Sequence, residues 1–129
     1  LVTEMAVGGV AEAVVGAAWD PQHGPGVLVG AGGVFVEVIK DVKFAAAPVS
    51  TAKAQAMIES LQTFPLFDGA RGRPKADVAA LADIVHRVSL LAAHLGPRLK
   101  ELDVNPVIVR AAGEGALAVD ARAVWTIME

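Results

Sequence analysis

Oxygen-bearing side chains stand at every second position of Glu101-Leu102-Asp103-Val104-Asn105-Pro106, and a further carboxylate, Asp120, follows in Ala118-Val119-Asp120-Ala121-Arg122. In an extended chain alternate side chains share a face, so Glu101, Asp103 and Asn105 line one side while Leu102 and Val104 form an apolar back. Such a row suits magnesium, which prefers hard oxygen ligands and takes only one or two protein groups when phosphates and waters complete its shell. If Ala112 and Gly113 form a two-residue turn, Ala111 faces Glu114, Val109 faces Ala116, Val107 faces Ala118 and Asn105 faces Asp120. Asn105 and Asp120 would then be cross-strand neighbours with β-carbons about 5 Å apart. A slip of one residue would turn Asp120 to the other face, and Gly115 also permits a longer loop. A hydrogen-bonded hairpin without a ligand is the alternative reading of the same residues.

The elements that would position this row read as follows. Leu1 to Val7 forms a short strand, Gly8-Gly9 a turn or bulge, and Val10 to Trp19 a second strand. Asp20-Pro21-Gln22-His23-Gly24-Pro25 is dense in turn residues, and strand character resumes at Val27 to Val29. Gly30-Ala31-Gly32-Gly33 is a hinge before a strand from Val34 to Lys40, and Lys43 to Ala46 adds another. At Ser50 the pattern changes to helix, with Ser50 or Thr51 as cap, Ala54, Met57, Ile58 and Leu61 at helical spacing, and Phe64-Pro65 as the stop. From Asp77 to Leu95 the apolar residues Val78, Leu81, Val85, Val88, Ala92 and Leu95 follow steps of three or four, and Gly96-Pro97 ends the helix. A hairpin of Leu99 to Val109 and Ala116 to Trp125 closes the chain. Strands, then helices, then a hairpin predict an α+β domain, a mainly antiparallel sheet with helices on one face. Gly30 to Gly33 is not a dinucleotide fingerprint, because a strand follows it where a helix would have to begin.

Composition narrows the function classes. A chain of 129 residues fits one domain, and its 54% hydrophobic content rests on small residues, with aromatics at 5%. The longest uncharged stretch, Pro21 to Val36, is broken by glycines and Pro25 and falls short of the roughly 20 apolar residues of a spanning helix, so no membrane association is expected. A net charge of −3 without basic clusters gives no footprint for nucleic acid. With no cysteine there are no disulfides, thiolate metal sites or Cys nucleophiles, in agreement with a cytoplasmic protein. The start lacks a signal-peptide pattern and an initiator Met, and it falls inside a strand, which suggests a fragment.

Six stretches occur in an order that resembles a known family. They are Glu4-Met5 with Gly8-Gly9, Asp20-Pro21-Gln22 with Gly24-Pro25, Gly32-Gly33-Val34-Phe35-Val36-Glu37, Gly69-Ala70-Arg71-Gly72-Arg73-Pro74, and the two acidic strands given above. The set resembles the ATP-grasp domain of NDP-forming acyl-CoA synthetases, whose relatives include ADP-forming acetate-CoA ligase and, more distantly, the β subunit of succinyl-CoA synthetase. The resemblance implies that residues 1–129 are the C-terminal subdomain of an ATP-grasp fold. It further implies that the preceding lobe and the CoA-binding and ligase domains lie in the rest of the enzyme, and that the fragment alone is inactive. It implies ATP or ADP as nucleotide, Mg²⁺ held by Asn105 and Asp120 with help from Asp103, and CoA as a substrate of the complete enzyme.

The same resemblance marks Glu12, Gly32, Gly33 and Arg71 as nucleotide- or anion-facing positions. An exposed strand carboxylate, a structural bulge and a loop anchor are the respective alternatives. Ala18 stands where the family commonly has a basic residue, and His23 where it commonly has Phe. His23, His86 and His94 lack metal spacing, and Trp19 reads as strand packing. A second reading therefore stays open, in which a degenerate ATP-grasp unit serves a regulatory or structural role in a protein acetyltransferase fusion.

Overall fold

Residues rich in Val and Ala extend the first long strand, and a side-chain-closed turn folds the next one back on it. The computed structural model describes residues 9–32 and 41–126, leaving aside the side chain of Arg71. The expected strands Leu1 to Val7 and Val34 to Lys40, with Gly33, lie outside the described residues. Strand β1 (Gly9–Asp20) pairs antiparallel with β2 (Gly24–Ala31). Between them Asp20 accepts the Gln22 amide at 2.7 Å and lies 3.2 Å from His23 Nδ1. These bonds, the Gln22 amide foremost, hold the Asp20 carboxyl below its ordinary range. β2 thus begins earlier than the expected Val27, at Gly24. Pro25 is tolerated there because the neighbouring strand, Val42–Ala46, pairs with β2 only from Gly26 onward, and the Pro25 carbonyl accepts the Ala47 amide at 2.9 Å.

Beyond β3 (Val42–Ala46) the chain turns helical where a cap allows it. Ser50 Oγ accepts the Lys53 amide at 3.0 Å and starts α1 (Thr51–Glu59). The helix expected to run on to Phe64-Pro65 ends sooner, at Glu59. The Ser60 hydroxyl donates to the Met57 carbonyl at 2.7 Å, and the amides of Gln62 and Thr63 donate to the Asp41 carboxylate at 3.1 and 2.7 Å. Asp41 thus offers those amides an acceptor outside the helical ladder. Phe64–Leu66 and Ala70–Gly72 then form short 3-10 turns.

The second helix, α2 (Val78–Leu95), is capped by Asp77, whose Oδ1 accepts the Ala80 amide at 3.1 Å. Its Leu81, Ala82, Val85, Ser89 and Ala92 are buried, as the three-and-four spacing requires. The segment Val78–Arg98, with mean hydropathy 1.5, has the length and composition of a membrane span, yet it packs its apolar stripe on the sheet. Ser89 is fully buried, accepts the Val49 amide at 2.9 Å and donates to the His86 carbonyl at 2.7 Å, locking the loop before α1 onto α2.

The strands β4 (Leu99–Arg110), β5 (Ala116–Ala118) and β6 (Ala121–Trp125) complete a sheet of order β3-β2-β1-β4-β5, with β6 also on β4. Val15, Val27, Val29, Val104 and Val107 meet Ile58, Phe67, Leu81 and Val85 in one core, so both helices cover a single face. Full burial of each such side chain stabilises the fold by about 1.5–3 kcal/mol. The antiparallel sheet with helices on one face is the α+β arrangement expected from the sequence.

Candidate functional site

The far face of the sheet, away from the helices, is shaped by a bulge in β4. Val15 pairs with Val104 and Ala13 with Val107, so Asn105 and Pro106 together oppose the single residue Val14. Leu102 and Val104 before the bulge, and Val107 and Val109 after it, all turn to the core. Without the extra residue one of these pairs would face away. The change of phase between Val104 and Val107 is visible in the sequence, although the alternation alone did not reveal a bulge. Glu101, Asp103 and Asn105 take the opposite, exposed side, as expected of the polar row.

The hairpin has the register predicted from the two-residue turn. Glu114 N–H donates to the Ala111 carbonyl at 2.8 Å, with Ala112 and Gly113 between them. Gly113 supplies the left-handed φ of 84° that this turn needs. Val109 pairs with Ala116 and Val107 with Ala118. The Asn105 amide donates to the Asp120 carbonyl at 3.0 Å, and the same register continues through Asp103 opposite Arg122. The returning strand is less regular than expected, since β5 and β6 are separate at Val119 and Asp120.

Asn105 and Asp120 are therefore cross-strand neighbours, both exposed on the far face. Asp120 Oδ1 accepts the Ala121 amide at 2.9 Å, which fixes the carboxylate and leaves Oδ2 for a ligand. Among the described residues no group of three or more His, Asp or Glu is placed to hold a metal. The donor set is thus one amide oxygen and one carboxylate, which fits magnesium arriving with phosphate and water ligands. Asp103 lies two residues along β4 on the same face, about 7 Å away.

The other expected residues fall in different places. Glu12 is exposed on the far face opposite Ile108, beyond the bulge. The Gly32 amide donates to the Glu12 carbonyl at 2.8 Å, so the donor that the sequence offered to a phosphate is engaged within the sheet. Gly33 lies outside the described residues. The backbone of Arg71 belongs to the 3-10 turn Ala70–Gly72 in the connection between the helices, not to a strand of the far face. His86 Nδ1 lies 2.6 Å from the Val49 carbonyl and His23 beside Asp20, both in structural bonds.

Between Asp103 and Leu28, in one row across the sheet, stands Gly16. A β-carbon there would come within 3.2 Å of both the Leu102 carbonyl and Leu28 Cγ, so glycine keeps the row flat. Toward β2 and β3 the row leads into a cleft of about 430 Å³ lined by Ala18, Gly26, Leu28 and Phe44. Arg122, which is not among the site residues expected from the sequence, shares the far face with Asp103. Its signal was the same alternate spacing, two residues beyond Asp120.

Comparison with known proteins places the chain among relatives of the same fold. The sequence profile of the family described as ATP-grasp domain matches residues 1–124. The β subunit of ADP-forming acetate-CoA ligase II from Pyrococcus furiosus is 43% identical over 111 residues, which span 86% of this chain and 47% of that subunit. The ADP-forming 4-hydroxybutyrate-CoA ligase of Nitrosopumilus maritimus is 40% identical over 122 residues, 95% of this chain and 17% of that protein. Among solved structures, a Pyrococcus horikoshii protein superposes with a TM-score of 0.87 at 38% identity, covering 95% of this chain and 51% of its own. The dinucleotide-forming acetyl-coenzyme A synthetase 1 of Candidatus Korarchaeum cryptofilum, in complex with coenzyme A and Mg-AMPPCP, gives 0.83 at 37% identity, covering 90% and 53%. The chain spans about half the length of the acetate-CoA ligase β subunits that it matches.

Proposed function

We propose, for a chain that belongs to the ATP-grasp domain family, that it is the C-terminal ATP- and magnesium-holding lobe of an ADP-forming acyl-CoA synthetase. The complete enzyme would join an acyl acid to CoA and convert ATP to ADP and phosphate. One observation carries the reading: Asn105 and Asp120 face each other across the hairpin, exposed on the far face of the sheet. The ligases among the relatives and the Mg-AMPPCP complex among the structural neighbours support it.

When bound, magnesium would neutralise charge on the transferring phosphate, where positioning and electrostatics supply most of the catalysis. The chain's own residues set the place. Asn105 and Asp120 would provide the protein oxygens, the Ala121 amide orients Asp120, and Asp103 would act at the edge of the site through water. Glu12 would face the nucleotide from β1. The rest of the enzyme, including the preceding ATP-grasp lobe and the CoA-binding and ligase domains, would supply the other walls, so this lobe alone would be inactive.

The test is an assay of the full-length protein with a panel of acyl acids, CoA, ATP and Mg²⁺. Acyl-dependent release of ADP supports the proposal. No release with any acid of a broad panel would overturn it and favour the regulatory role instead.

A further inference from the structure

Arg122 stands directly across from Asp103, yet no ion pair or hydrogen bond joins them. The ion pairs among the described residues are Asp20 with His23, Asp68 with Lys75 and Asp83 with Arg87. Opposite charges at facing positions of an antiparallel pair ordinarily attract and close. Here the guanidinium is exposed and has no partner among the described residues, on the face that also carries Asn105 and Asp120. The next same-face position before Arg122 is Asp120 itself, about 7 Å along the extended chain. An arginine stem spans that distance, so the guanidinium can lie over anionic oxygens carried by a metal at Asn105 and Asp120.

Charge points the same way. Glu101, Asp103 and Asp120 make this part of the face acidic, and an approaching polyphosphate meets repulsion unless cations intervene. A metal between Asn105 and Asp120 meets part of that need, and a planar guanidinium matches two phosphate oxygens at once. Gly16 keeps the floor beside Asp103 flat, so no side chain of β1 stands opposite Asp103.

We infer that Arg122 is a phosphate-clamping residue that binds the oxygens of the nucleotide held at Asn105 and Asp120. This inference rests on the functional reading above. Asp103 stands opposite Arg122 without bonding to it, which leaves the guanidinium to the nucleotide.

The test uses the full-length protein with Arg122→Gln and Arg122→Lys, beside Asp120→Asn as reference, and Mg-AMPPCP as the probe. Calorimetric titration should show binding weakened about 10- to 100-fold in Arg122→Gln, with partial recovery in Arg122→Lys. The melting temperature of the ligand-free protein should not change, because the side chain is exposed and pairs with no other described residue. Unaltered affinity in Arg122→Gln with weakened binding in Asp120→Asn would overturn this inference and leave the metal site standing. Unaltered affinity in both variants would overturn both. A drop in ligand-free melting temperature that accounts for the lost binding would also overturn it, in favour of a purely structural arginine.

Discussion

The Asp77 carboxylate accepts the Gly115 amide at 2.8 Å through Oδ2 while its Oδ1 caps α2, so one side chain ties the helical layer to the hairpin that carries Asn105 and Asp120. Flanking backbone bonds extend this tie, from the Asp77 amide to the Arg110 carbonyl at 2.8 Å and from the Ala112 amide to the Lys75 carbonyl at 2.8 Å. Replacing Asp77 with Ala removes a helix cap and the acceptor for Gly115. Stability should fall by about 1–3 kcal/mol, read as the urea midpoint shift at constant slope. Magnesium-dependent nucleotide binding should weaken in the same variant, because the turn would no longer be pinned from the helix side.

Asp41 holds the chain just after α1 and should make the fold acid-sensitive. Burial alone would raise its pKa, but bonds from the Thr63 hydroxyl and amide and the Gln62 amide outweigh that and bring it below the ordinary value. A lowered carboxylate pKa contributes stability that is present above the unfolded value of about 3.9 and is lost as pH falls through the folded value. Thermal melting of the wild type should therefore decline below about pH 4. Asp41→Asn should be less stable than wild type by about 1–3 kcal/mol at pH 7 and should converge with it in acid. A stability difference that stays constant down to pH 2 would contradict this role.

Ser89 tests the lock between α2 and the loop before α1. Its hydroxyl is fully buried and serves the Val49 amide, so Ser89→Ala leaves that donor without its acceptor. The expected loss is about 1–3 kcal/mol in chemical denaturation, larger than a methyl-sized change would give at an exposed site. Hydrogen exchange at the Val49 amide should accelerate in the variant.

Much of this architecture was legible in the residues. The Ser50 cap, the three-and-four spacing of α2 and the alternation in Glu101 to Asn105 each follow from local chemistry, and so does the turn that sets Asn105 opposite Asp120. What escaped depended on contacts distant in sequence. Asp41 draws the amides of Gln62 and Thr63 out of the helix from 21 and 22 residues away, and Asp77 reaches Gly115 across 38. The bulge at Asn105 and Pro106 is defined only against β1, so a single strand read alone could show the phase change but not its cause. Gly32 looked available to a phosphate because its partner, the Glu12 carbonyl, lies on another strand. That Arg122 has no partner among the described residues is a property of the folded sheet, which the order of residues alone does not show.

The central claim is that Asn105 and Asp120 bind nucleotide through magnesium, and titration of the full-length Asp120→Asn variant with ATP, with and without Mg²⁺, tests it most directly. The substitution keeps the shape of an exposed side chain and removes its charge, so the protein should melt as the wild type does. Affinity in the presence of Mg²⁺ should fall at least about tenfold, with little change in its absence. Equal Mg²⁺-dependent affinity in variant and wild type would remove Asp120 from the site and contradict the account.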